Sequence, residues 1–211
     1  MINNKNTAFI FRLCAAVFAL FGWLWAMDTF SGDFDFNYLM KFTHQSNVLA
    51  IAMFVVLAFL TWKNKKVAYL PLFQLICVIS LMLTMSVYWL LLAPTESNIY
   101  NFGNFAVHLF NPLLVMIDYI LFMQPGKIKY RYVYLVLIYP IFYLCLTTAA
   151  GFAGYVYQLN DIDGLPEHFP YFFLDFDRLG ASVFVYVSVL LLVFVGISHI
   201  FYFADKYRAK H

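Results

Sequence analysis

Two residues in this sequence would carry acyl-transfer chemistry if the fold brought them together: Thr43 and His108. A threonine hydroxyl is a weak nucleophile at its ordinary pKa and needs a base within hydrogen-bond reach, most often a histidine. Thr43 opens the run Thr43-His44-Gln45-Ser46-Asn47, in which Thr43, Ser46, Asn47 and Ala50 share one helical face. His108 opens a second stripe through Asn111, Val115, Asp118 and Phe122 by the same rule. Asn47 and Asn111 sit one turn beyond, where an amide would donate to a developing oxyanion or to a substrate. Backbone N–H groups inside a helix are already used, so side-chain donors are expected to matter most. Ser46 joins this face. Ser80, Thr84 and Tyr88 form a row at i, i+4, i+8, and Tyr88 is expected to line the same cavity. His44 points about 100° away from Thr43 and is expected at the membrane interface. Each residue has a plainer alternative: a back-bonding threonine, a structural histidine, or polar glue between helices.

The elements that must position these residues are set by composition. The chain is 211 residues long, 64% hydrophobic and 11% charged, against about half and about a quarter in soluble domains. A soluble fold of this length could not hide so much apolar surface, so lipid is the expected solvent. A helix crosses a bilayer with about 20 apolar residues, and six segments qualify, near 7–28, 38–62, 67–93, 105–123, 131–150 and 178–203. The expected fold class is all-α, a polytopic membrane bundle of six transmembrane helices in a single domain. The first segment exceeds a signal-peptide core and no cleavage site follows it, so it is read as a retained span. Residues 151–177 form the one long connection. Its glycines, prolines and aromatics predict an ordered cap.

Charge alternates between successive connections. Lys5 and Arg12 flank the first span, and Asp28, Asp33 and Asp35 follow it. Lys63, Lys65 and Lys66 precede a connection with the single charge Glu96, and Lys127, Lys129 and Arg131 come next. Asp161, Asp163, Glu167, Asp175 and Asp177 populate the long connection, and Lys206, Arg208 and Lys210 the tail. Among basic residues only Lys41 and Arg178 fall on the acidic side. Cytoplasmic loops are the ones enriched in Lys and Arg, so both termini are expected in the cytoplasm. The second and fourth spans then both start on the outer side. Thr43 lies about 7 Å and His108 about 5 Å into them at 1.5 Å per residue, so the two could meet near the outer surface. Asp118 lies too deep to orient His108. Asp175 and Asp177 precede the last span, where carboxylates favour a helix N-terminus.

The remaining inventory excludes several classes. No nucleotide-binding glycine motif, zinc-protease motif or nucleophile elbow is present. Cys14, Cys77 and Cys145 lie in apolar runs without metal-ligand spacing. No cofactor, metal or nucleic-acid partner is expected, and oligomeric state is open.

Three runs resemble a known family: Lys41-Phe-Thr43-His-Gln-Ser46-Asn47; His108-Leu-Phe-Asn111-Pro112-Leu followed by Asp118-Tyr-Ile-Leu-Phe; and Pro170-Tyr-Phe-Phe-Leu-Asp175 followed by Leu179-Gly180. Together they resemble a bacterial family of small six-span proteins, distantly similar to the eukaryotic androgen-induced and androgen-dependent transmembrane threonine hydrolases. Those enzymes cleave fatty acid esters of hydroxy fatty acids. The resemblance implies a bacterial inner-membrane location and a membrane lipid as substrate. It also implies a nucleophile at Thr43 and a base at His108. The residues after Thr43 are more polar than in the eukaryotic members. The third run implies no role, which leaves Asp175 and Asp118 as possible support.

The leading expectation is therefore an intramembrane lipid-ester hydrolase working near the outer leaflet. One alternative is a small-solute or proton transporter with a polar track through His108, Asn111 and Asp118. Another is a non-catalytic lipid-binding protein with the same fold.

Overall fold

The computed structural model describes residues 4–32, 34–65, 70–95, 99–159 and 164–210. Asp33, Lys66, Glu96, Asp161 and Asp163, which enter the charge alternation, lie outside the described residues. Six helices are long and apolar enough to cross a membrane: α1 (Lys5–Ala26), α2 (Phe42–Lys63), α3 (Leu70–Leu92), α4 (Phe102–Phe122), α5 (Tyr132–Phe152) and α6 (Phe176–Arg208). The protein is a multi-pass membrane protein with an all-α bundle. Apolar side chains such as Ile10, Val17, Val55, Phe59, Val189 and Leu192 stand exposed on its flanks, where lipid is their solvent.

Local chemistry sets the helix ends. The Asn4 side chain accepts from the Asn6 and Thr7 N–H groups and starts α1. Asn64, at φ 55°, ends α2 in a left-handed cap that an asparagine tolerates. The start of α2 falls four residues later than the apolar run suggests. Asp35 caps a separate short 3₁₀ turn, Phe36–Met40, and Lys41 is extended. Hydropathy measures how much apolar chain there is, not where its backbone first turns. Similarly, α6 begins at Phe176 and runs to Arg208, beyond the expected 178–203.

Three prolines each stand beside an irregular helix turn. A proline lacks the N–H that would bond to the carbonyl four residues earlier, and its ring crowds that carbonyl. Pro140 accounts for the break at Val136–Leu137 that divides α5. Pro94 follows a π-turn at Tyr88–Leu92 in α3. Pro112 follows a π-turn at Ala106–Phe110 in α4.

The central helix is α3, 56% of whose span is buried, and it touches α2, α4, α5 and α6. The most lipid-exposed is α6, at 11%. On the other side α1 packs on α2 and α4 through small residues. A Cβ on Gly22 would fall 2.6 Å from the Ala106 Cβ, and one on Gly103 2.9 Å from the Ala26 Cα. The 151–177 connection is ordered in its described part. A two-residue antiparallel pairing joins β1 (Gln158–Leu159) to β2 (Pro166–Glu167), and Tyr157, Phe169, Phe173 and Leu174 are buried beneath it.

One ion pair ties the four helices α1 to α4. Arg12 Nε donates to Asp118 Oδ1 at 2.7 Å, and Arg12 also donates to the Thr61 hydroxyl at 2.6 Å. Gln74 Nε2 donates to Asp118 Oδ2 at 3.5 Å. The sequence reading assigned Arg12 to the charged flank of α1. It lies instead two turns inside and is buried, because Asp118 on α4 offers it a carboxylate that lipid would otherwise strand. Removing one partner of a buried pair strands the other charge. Asp118→Ala is therefore expected to destabilise the fold by about 3–5 kcal/mol, and Arg12→Met with Asp118→Leu to recover most of that loss. Thermal midpoints in detergent check both, and an Asp118→Ala protein as stable as the parent would show the pair to be idle.

Candidate active site

The N-terminal end of α2 and the π-turn of α4 meet at one point. Thr43 Oγ1 stands 3.3 Å from His108 Nε2. On the other side of the ring, His108 Nδ1 is 3.1 Å from the Asn104 carbonyl oxygen. A carbonyl only accepts, so that contact places the proton on Nδ1 and leaves the Nε2 lone pair toward the threonine hydroxyl. Asn104, four residues before His108, thus fills the orienting position that Asp118 is too deep to fill. Tyr88 stacks on the imidazole with centroids 3.6 Å apart and planes 8° from parallel.

Pro112 explains the local backbone. Its missing N–H leaves the His108 carbonyl without a helical donor. The Trp89 indole N–H takes that carbonyl at 3.1 Å. Base and backbone are thereby held by two neighbours on α3: the ring by Tyr88, the carbonyl by Trp89.

The later start of α2 changes the chemistry expected of the backbone. Thr43 is the second residue of the helix rather than several residues inside it, so its N–H has no intrahelical acceptor. It donates to the Tyr171 hydroxyl at 3.4 Å. His44 and Gln45 already close onto the Lys41 carbonyl. Tyr171 comes from the 151–177 connection and stacks on Phe173. Burial raises its pKa above the usual 10.0, so the hydroxyl stays protonated at neutral pH. The candidate site thus holds a hydroxyl, a base, a helix-terminal N–H outside the helical ladder and a phenol.

The other expected residues are placed as follows. Asn47 Nδ2 donates to the carbonyls of Thr43 (2.8 Å) and Val107 (3.1 Å). Asn111 Nδ2 donates to Asn47 Oδ1 (2.8 Å) and the Ala19 carbonyl (3.4 Å). Both amides have spent their donors on holding α1, α2 and α4 together, so neither offers one to an oxyanion. Ser46 donates to the Thr43 carbonyl and meets the Thr84 hydroxyl at 3.0 Å, turned away from both cavities described below. Asp175 accepts from the Asp177 and Arg178 N–H groups as the cap of α6 and pairs with Arg178 at 3.2 Å. His44, expected at the interface, is buried and stacked on Tyr38 beneath the cap. His108, Asn111 and Asp118 do share a stripe, but each faces a different partner: Thr43, Asn47 and Arg12.

Two cavities meet at Thr43. A polar vestibule of about 510 Å³ is lined by Lys41, His44, Asn104, His108 and Arg178. A narrow apolar crevice of about 80 Å³ runs between α3, α5 and α6 past Leu83, Pro140, Leu144 and Leu190. Thr43, Tyr88, Leu92 and Tyr171 line both. Among the described residues no group of three or more His, Cys, Asp or Glu side chains gathers as a metal-ligand set.

Comparison of the chain with protein-family models, with curated proteins and with solved structures gives no match. The functional reading therefore stands on the geometry and on the motifs in the sequence.

Sequence reasoning gave Tyr171 no role, although it lies in the third of the family-like runs. It also missed the Asn104 carbonyl, whose only trace is its position four residues before His108. The amide roles separate cleanly by experiment. Asn47→Leu removes the acceptor of one Asn111 N–H and the side-chain donor to the Val107 carbonyl, at about 1–3 kcal/mol per unsatisfied group, and is expected to lower the thermal midpoint. Unchanged stability with altered ligand binding would return Asn47 to the site.

Proposed function

We propose that the protein is an intramembrane hydrolase of a lipid ester, with Thr43 as nucleophile and His108 as base. The observation that carries this reading is the Thr43 hydroxyl on the Nε2 of a histidine whose Nδ1 is held by a carbonyl. That is the nucleophile–base–orienter arrangement of covalent acyl transfer, with a backbone carbonyl as orienter. Its place between a polar vestibule and an apolar crevice suits a substrate with a polar carbonyl and an acyl chain. The resemblance to transmembrane threonine hydrolases points the same way.

In the proposed cycle Thr43 Oγ attacks the ester carbonyl as His108 Nε2 takes its proton. The oxyanion of the tetrahedral intermediate receives the Thr43 N–H and the Tyr171 O–H, helped by the positive end of α2. Collapse expels the alcohol, which leaves with the proton from His108, and an acyl-threonine ester remains. Water entering from the vestibule then attacks that ester with His108 again as base. The carboxylic acid departs and the Thr43 hydroxyl is restored. The charge pattern supports cytoplasmic termini and the resemblance a bacterial inner membrane; together they would put this chemistry in the outer leaflet.

Purified protein is expected to react with a fluorophosphonate probe and to hydrolyse long-chain ester substrates. Thr43→Ala abolishes both. His108→Gln lowers the rate by about 10²–10⁴-fold, and Tyr171→Phe by about 10²-fold through loss of one oxyanion donor. Labelling that survives Thr43→Ala would sink the assignment.

A further inference from the structure

At the end of the bundle opposite Thr43 lies a third cavity, of about 490 Å³, that the hydrolase reading does not use. Three lysines line it from three separate chain segments: Lys5 at the start of α1, Lys65 after α2, and Lys127 after α4. Arg12 lines it as well, and among the described residues no Asp or Glu does so. Asp118 neutralises Arg12 from behind. The guanidinium still has two of its five N–H groups to spare, since Asp118 and Thr61 use three. Polar side chains of Asn64, Gln74 and Gln124 add further hydrogen-bonding groups, and the walls between them are Leu57, Leu60, Leu70 and Phe122.

Concave, cationic and lined by amides, the cavity suits a multiply hydrogen-bonding anion. The apolar walls suit one that carries hydrocarbon. Phosphate fits the donor set, because lysines and an arginine together offer it charge and several N–H groups. Basic pockets between membrane helices hold lipid phosphates in this manner. We propose that this cavity is a phosphate-binding site, occupied by the headgroup of an anionic lipid or by a free phosphate anion. It shares no lining residue with the vestibule or the crevice at Thr43, so it stands or falls independently of the hydrolase reading.

Basic residues gather at one membrane face for topological reasons alone, and the test must separate that general charge from a built site. The full chain in uncharged detergent is titrated with phosphatidylglycerol, with diacylglycerol, and with inorganic phosphate at constant ionic strength. The thermal midpoint is followed by tryptophan fluorescence. A saturable rise with phosphatidylglycerol or phosphate, and none with diacylglycerol, is expected. A rise with the lipid alone identifies a headgroup site, and an equal rise with inorganic phosphate a free-anion site. The variant Lys5→Gln, Lys65→Gln, Lys127→Gln should weaken the titration by about a hundredfold, about fivefold per lysine. These lysines are exposed at the rim, so the unliganded midpoint should hold. The matched variant Lys129→Gln, Lys206→Gln, Lys210→Gln removes the same charge outside the cavity and should shift the titration only a few-fold. A midpoint unmoved by either phosphate compound, a diacylglycerol effect as large as that of phosphatidylglycerol, or equal weakening in the two triple variants would overturn the proposal.

Discussion

A polar group in the hydrocarbon layer has no water to bond, so it must find a partner inside the protein. That constraint organises this bundle along one stripe of α4. The His108 ring is held between the Asn104 carbonyl and Thr43, and the His108 carbonyl takes the Trp89 indole. One turn on, Asn111 meets Asn47 and the Ala19 carbonyl. Two turns further, Asp118 meets Arg12 and Gln74. Each level recruits a different pair of helices, so satisfying α4 brings α1, α2 and α3 into register.

Proline is the second organising element. Pro112 deprives His108 of a helical donor to its carbonyl, and the wide turn before it carries the residue proposed as base. A functional group on an irregular turn keeps its geometry only when its surroundings hold it. Here Tyr88, Trp89 and the Asn104 carbonyl do so, two of them from the helix end that Pro94 interrupts in the same way. The two irregular helix ends face each other, and the polar vestibule opens beside them.

The six helices and the residues of the candidate pair were legible in the sequence because both depend on composition and period. Apolar length implies a span, and a threonine and a histidine on facing stripes imply contact. The depth arithmetic reached the right pairing although both helix starts moved. Thr43 sits at the very start of α2, and His108 lies about two turns into α4, which begins earlier than expected. The oxyanion reading went astray for the same reason. A helix start near residue 38 buries the Thr43 N–H in the ladder, whereas a start at Phe42 leaves it free. Asn47 and Asn111 are structural, because each amide's N–H groups are taken by acceptors within the bundle.

What the sequence by itself determined is the solvent and the inventory. Sixty-four per cent apolar residues require lipid, and the few polar residues in the spans must turn inward and pair. What only the tertiary structure decided is who pairs with whom. Asp118 could have lined a track or met a cation. Arg12, 106 residues away in the chain, settles it. Tyr171 could have anchored at the interface, but the cap folds it onto the N–H of Thr43. Period and hydropathy are properties of neighbours in sequence. Hydrogen bonds across a bundle depend on crossing angle, rotation and helix start, which are fixed only when all six helices pack at once.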